Sequence, residues 1–194
     1  MVGTGETGGG VRLRLPLRSA RLILRPLAAT DAPTLYRFAA DWELARGTAN
    51  IPHPYDLRMA REFIAWSEGE FAAGRSYGFA VIERATGLLV GVITLSGRGP
   101  GSMELGYWIG RPHQGRGYAS EAAQRLVEAA FDELGIGRVT AACLPDNEPS
   151  WRVMESCGMR LVQRVRRYAP ARGRSFDLLL YAVDAVPSQQ AETG

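Results

Sequence analysis

One stretch constrains this chain more than any other: Met103-Glu-Leu-Gly-Tyr-Trp-Ile-Gly-Arg-Pro-His-Gln-Gly-Arg-Gly-Tyr-Ala-Ser-Glu-Ala-Ala123. It opens as a strand, with Leu105, Tyr107 and Ile109 at period two and aromatic residues suited to a pleated surface. It ends as a helix, because apolar positions from Ala119 to Leu134 shift to helical spacing. Between them lies Gln114-Gly-Arg-Gly-Tyr-Ala119, a glycine turn where a strand feeds a helix N-terminus. Glycine lets backbone approach a ligand closely, and the first N–H groups of a helix are unpaired and carry partial positive charge. Such a turn suits a phosphate or pyrophosphate, although Gly-x-Gly before a helix also occurs as a plain structural connection. It is not a Walker loop, since the required Lys is missing and the chain has no Lys at all. Nor is it G-x-G-x-x-G, because Tyr118, Ala119 and Ser120 follow the second glycine.

Composition removes several chemistries. With only His53 and His113, a multi-His metal site is excluded, and the absence of Lys excludes a Schiff base. Cys143 and Cys157 have no metal-ligand spacing and read as reduced, buried thiols. The formal charge of +3 is carried by Arg alone, too weak a lean for a nucleic-acid protein but suited to a phosphate-bearing ligand. A chain of 194 residues, 46% hydrophobic and 22% charged, reads as one globular domain over residues 11–186. Residues 1–10, with five glycines, are expected to be disordered and residues 187–194 to be a flexible tail. No apolar run approaches the ~20 residues of a membrane span. The Gly/Thr-rich start does not read as a signal peptide, so a cytoplasmic location without membrane partners is expected.

Along the chain, Val11–Leu15 and Arg21–Arg25 read as strands. Thr30 or Asp31 caps a helix to about Ala40, and the prolines of Arg46–Tyr55 make a loop. Asp56 caps a helix over Leu57–Ala73, with Phe63, Ile64 and Trp66 facing inward. Tyr77–Glu83 and Leu88–Ser96 form a hairpin. Arg138–Cys143 is a short strand, Pro149–Ser156 a short helix, and Met159–Tyr168 with Phe176–Val183 a closing hairpin. The order predicts a mixed α/β sandwich. Trp42, Trp66, Tyr77 and Phe79 are either core or the wall of an acceptor pocket.

Four motifs then stand in a familiar order: Arg21-Leu-Ile-Leu-Arg-Pro-Leu27 with Asp31, Ile51-Pro-His-Pro-Tyr55, Glu104-Leu-Gly-Tyr-Trp-Ile109 running into the glycine turn, and Asn147-Glu-Pro-Ser through Glu155-Ser-Cys-Gly-Met159. Over Arg21 to about Tyr181 the chain resembles the GNAT N-acetyltransferase superfamily, in its RimJ/RimL-type branch; Met159 stands where that branch has Phe. The resemblance implies a three-layer sandwich around a mostly antiparallel sheet, splayed between the Glu104 strand and Arg138–Cys143. It implies acetyl-CoA as co-substrate and no metal. The pantetheine arm would pair with backbone at Tyr107, Trp108 and Ile109. The pyrophosphate would rest on Gln114, Gly115, Arg116, Gly117, Tyr118 and Ala119, with Arg111 as a further phosphate contact. Asn147 would bind the pantetheine amide or cap its helix. Glu104 is the implied base and Ser150 the implied acid or sulfur-orienting group, against the plainer readings of a strand-start Glu and a helix-capping Ser. A backbone N–H near Trp108 or Ile109 is the expected oxyanion donor. The acceptor is an amine, either a protein N-terminus or a small molecule, and a homodimer is open.

Two rival readings follow. One is a non-catalytic acyl-CoA-binding regulatory module, disfavoured because Glu104 and Ser150 are both present. The other is nucleic-acid binding through Arg160, Arg164, Arg166, Arg167, Arg172 and Arg174; on a terminal hairpin these read more simply as a solvated face, or as a lure for an acidic acceptor.

Overall fold

Alternation along the strands decides the architecture. The computed structural model describes residues 13–186; the segments expected to be disordered at 1–10 and 187–194 lie outside them. Eight strands form one sheet: β1 Leu17–Arg18, β2 Leu22–Pro26, β3 Ser76–Glu83, β4 Leu89–Gly99, β5 Ser102–Ile109, β6 Arg138–Cys143, β7 Arg160–Ala169 and β8 Arg174–Asp184. Their order is β1-β2-β3-β4-β5-β6-β8-β7, and only β5 and β6 run parallel. The helices are α1 Ala32–Ala39, α2 Trp42–Arg46, α3 Leu57–Ala72, α4 Tyr118–Asp132 and α5 Glu148–Ser156. Strand β3 shows why there are three layers. Phe79 and Val81 enter the core beneath α4 and α5, whereas Ala80 and Ile82 enter the one beneath α1 and α3. A strand covered on both faces reads as a near-continuous apolar run.

Helix α3 begins where its cap predicts: the Asp56 carboxylate accepts the Met59 N–H at 2.8 Å. Its inner face is Ala60, Ile64 and Ser67. Trp66, expected inward, is half exposed, because six residues past Ala60 is about 240° around a helix. Asp31 stands at the N-cap position of α1 but makes no cap bond. Its carboxylate instead takes two Arg25 N–H groups at 2.7 and 2.8 Å and reaches back to the Ala28 N–H. Of the strand expected at Val11–Leu15, the described residues 13–15 are not extended into the sheet. Pro16, which has no N–H for a ladder, separates them from β1. Helix α2 was not expected; Asp41 caps it through the Glu43 N–H at 2.9 Å. Among the described residues no helix is long and apolar enough to cross a membrane.

The feature that positions the site is a divergence. Strands β5 and β6 pair from Ser102 with Arg138 as far as Leu105 with Ala141, and no farther. Beyond that point β5 stays in register with β4 through Ile109, so a gap opens on its other edge.

Candidate active site

Which peptide groups face the gap follows from the ladder. Gly110 donates its N–H to the Val90 carbonyl of β4 at 2.9 Å, which sets Trp108 opposite Val92 and Gly106 opposite Thr94 in the same bonded phase; the Thr94 hydroxyl also donates to the Gly106 carbonyl. Antiparallel residues alternate in this respect. Gly106 and Trp108 therefore spend their peptide groups on β4, while those of Tyr107 and Ile109 point into the gap. The N–H of Trp108 is thus committed within the sheet, and the residue meets the cavity through its side chain. The Ile109 carbonyl is also occupied, by the Gln114 side-chain amide at 2.8 Å. Side chains alternate across the sheet too: Glu104 and Trp108 stand on the α1/α3 face, Tyr107 on the α4/α5 face. A cavity of about 560 Å³ reaches residues of both faces, among them Ile51, Tyr55 and Glu104 on one and Cys143, Ser150 and Met154 on the other. Gly106 lies between Glu104 and Trp108, and a Cβ there would come within 2.9 Å of the Thr94 hydroxyl. Its aromatic lining is Tyr55, Phe63, Tyr107, Trp108 and Tyr168. The four aromatics considered from sequence do not line it: Phe79 is buried core, Tyr77 packs on Phe71, and Trp42 and Trp66 are half exposed.

The glycine turn leads from β5 into α4. Gly115 and Gly117 have φ of 74° and 77°, the left-handed region where a Cβ costs about 1–2 kcal/mol. Gly117 occupies the N-cap position without a side-chain cap. The first helical bond is Glu121 N–H to the Gly117 carbonyl, so the N–H groups of Tyr118, Ala119 and Ser120 have no helical partner. Arg21 braces the turn, bonding the Arg116 carbonyl at 2.9 Å and the Glu121 carboxylate at 2.7 Å, and the Tyr118 phenol bonds Glu83. Among the described residues the exposed Arg116 guanidinium reaches only the Pro112 carbonyl, at 3.4 Å. Arg111 pairs loosely with Asp41 at 3.6 Å. His113 packs edge-on against Phe38; burial, with Arg116 nearby, lowers its pKa and keeps the ring neutral.

Glu104 is enclosed by arginines. Its carboxylate, 12% exposed, receives Arg98 at 2.8 and 3.0 Å and Arg167 at 2.6 Å. Burial alone would raise its pKa, but the hydrogen bonds and charges of Arg98 and Arg167 outweigh it and hold the group below the usual carboxylate range. It stays ionised wherever an amine titrates.

Ser150 sits in the first turn of α5, but the cap is Asn147, whose side-chain oxygen accepts the Ser150 N–H at 3.2 Å. The Asn147 amide N–H reaches the Gly47 carbonyl at 2.8 Å, tying α5 to the loop after α2. The serine hydroxyl is thus free of capping. It lies 3.0 Å from the Tyr107 phenol oxygen, and that phenol also donates to the Ser150 carbonyl at 2.7 Å. A carbonyl cannot donate, so with both bonds made the serine hydroxyl donates to the phenol. Burial raises the pKa of Tyr107, which stays protonated. Cys143 and Cys157 are pushed up to about 11 by burial and are poor thiolates at neutral pH.

Sequence reading missed three side chains. Tyr107 had been assigned through its backbone alone; strand parity places its ring beneath α5. Arg98 sits at the end of β4, and Arg167 belonged to the supposed solvated face.

The chain's likeness to known proteins agrees with this geometry. The sequence profile of the acetyltransferase (GNAT) domain matches residues 21–160. An uncharacterised N-acetyltransferase, p20 of Bacillus licheniformis, is 30% identical over 169 residues, covering 86% of this chain and 94% of its own. A GNAT-family acetyltransferase structure from Bacillus anthracis superposes with a TM-score of 0.76 at 26% identity, covering 87% of this chain and 97% of its own. Mycobacterium smegmatis RimJ, solved with a CoA-disulfide, gives 0.75 at 25% identity, with 89% and 85% covered.

Proposed function

The chain belongs to the GNAT acetyltransferase family and is an acyltransferase, and we propose that it moves an acetyl group from acetyl-CoA to a primary amine by direct attack in a ternary complex. The observation that carries this is the gap beside β5, lined by the unspent peptide groups of Tyr107 and the N–H of Ile109 and ending at the uncapped start of α4. An extended amide-bearing arm completes a ladder there, and a pyrophosphate suits three free N–H groups at a helix start. The CoA-disulfide held by RimJ supports the same kind of ligand here.

Acetyl-CoA supplies a thioester carbonyl and a thiol leaving group; this chain's residues do the rest. Gly106 leaves room for the reacting carbon between the two faces. The amine enters on the Glu104 side. Ionised Glu104 attracts the ammonium, and its proton leaves through water, since a carboxylate held so acidic is a weak base. The nitrogen lone pair then forms the C–N bond as the C–S bond breaks. The N–H of Tyr107 or Ile109 donates to the developing oxyanion, an interaction whose loss typically costs about 3 kcal/mol. Ser150 donates toward the departing sulfur, and Tyr107 turns its proton from the Ser150 carbonyl to the serine oxygen as it does so.

Calorimetry with acetyl-CoA and a thiol-release screen over peptides and small amines test this reading. Micromolar-range binding with amine-dependent release is expected. Binding without release for any amine overturns catalysis and leaves a CoA-binding module.

A further inference from the structure

At the acceptor end of the cavity two guanidiniums converge on one carboxylate. Glu104 is a single anion shared by two guanidiniums, Arg98 and Arg167. The other acid on the cavity wall, Glu62, is matched by Arg58 at 2.7 Å. Arg98 engages both Glu104 oxygens, and its side chain is 52% exposed; that of Arg167 is 36% exposed. Both retain N–H donors that Glu104 does not use. Arg172 adds a cation beside the wall, with one nitrogen on the Ala45 and Ile51 carbonyls and no carboxylate partner among the described residues.

This arrangement offers two complementary poles: an ionised carboxylate for an ammonium, and beside it a surplus guanidinium with free donors. We propose that it selects a zwitterionic acceptor, a primary amine carrying a carboxylate or phosphate a few bonds away. The inference rests on the amine-transfer reading above and names its substrate class. A purely cationic acceptor such as a polyamine gains from ionised Glu104 at one end but sets its further ammonium groups against Arg98 and Arg167. An anionic group instead replaces solvent on a planar, fork-shaped donor suited to oxyanions.

Matched acceptors test this: an α-amino acid against its amide, O-phosphoethanolamine against ethanolamine, the dipeptides Asp-Ala against Asn-Ala, and spermidine. The expected result is a kcat/KM advantage of about tenfold or more for at least one anionic member over its neutral twin, shrinking as salt rises. Whether the carboxylate or phosphate pairs show it identifies the anion. Arg167→Gln, and independently Arg98→Gln should the first fail to fold, is expected to bring that ratio toward one while acetyl-CoA affinity by calorimetry holds. A merely structural role for these arginines changes overall rate but not the ratio. Neutral twins used as well as anionic ones, preference for spermidine, or a ratio unmoved in the folded variant overturns the inference and leaves acyl transfer standing. No turnover with any amine overturns both.

Discussion

Glu104 is where chemistry and charge pull in different directions. A general base is most effective with a pKa near the working pH, yet two guanidiniums hold this carboxylate below its ordinary range. It therefore stays charged across the interval in which an amine becomes neutral. The rate of the wild-type enzyme is expected to rise with pH toward the pKa of the acceptor amine, without a break near pH 6–7. Glu104→Gln is expected to lower kcat/KM about 10²-fold at neutral pH, the low end for acid–base groups, and to recover partly as pH rises. An acidic limb at pH 6–7 that the substitution removes would instead mean that substrate lifts the carboxylate's pKa. Tyr107 carries a second expectation. Tyr107→Phe keeps the ring packed but deletes the donor to Ser150, so kcat should fall about tenfold or more while the affinity for acetyl-CoA changes little. Equal kcat in the two proteins would leave the Tyr107–Ser150 pair as structure alone.

Among the elements, the turn into α4 was legible and the gap only in part. Gly115 and Gly117 announced themselves because a left-handed turn before a helix admits little else, and both adopt positive φ. Asp56 was legible as a cap for similar local reasons, and for Asn147 the cap was one of two readings. Strand parity in Leu105, Tyr107 and Ile109 was readable too, but its phase against β4 was not, so the turn of the Trp108 peptide toward β4 could not be foreseen. Replacing Gly115 and Gly117 with Val should strain the turn by about 1–2 kcal/mol per residue and weaken acetyl-CoA by at least tenfold in a protein that still folds. Arg116→Ala should weaken acetyl-CoA more than a dephosphorylated pantetheine analogue. Equal losses for both ligands would remove phosphate from the role of Arg116, and unchanged affinity in the double glycine variant would move the pyrophosphate off this turn.

Across the whole molecule, the sheet explains how one cavity is open to both substrates of the proposed reaction. Faces that are otherwise sealed by α1 and α3 on one side and α4 and α5 on the other communicate where β6 leaves β5. The mixed α/β sandwich was readable from the order of the elements and its three layers from the family resemblance; in the structure, apolar runs such as Phe79–Ile82 are covered on both faces. What was not readable is long-range. Arg167 meets Glu104 across 63 residues and Tyr107 meets Ser150 across 43, and neither pairing leaves a periodicity in the sequence. The buried Cys143 thiol bears on the route of transfer, since it lines the same cavity and a transfer through it is the chemical rival to direct attack. Initial velocities with acetyl-CoA and amine both varied distinguish the two. Direct attack predicts intersecting double-reciprocal lines and no acetyl group on the protein when amine is withheld; parallel lines, with acetyl-Cys143 found by mass spectrometry, would contradict it.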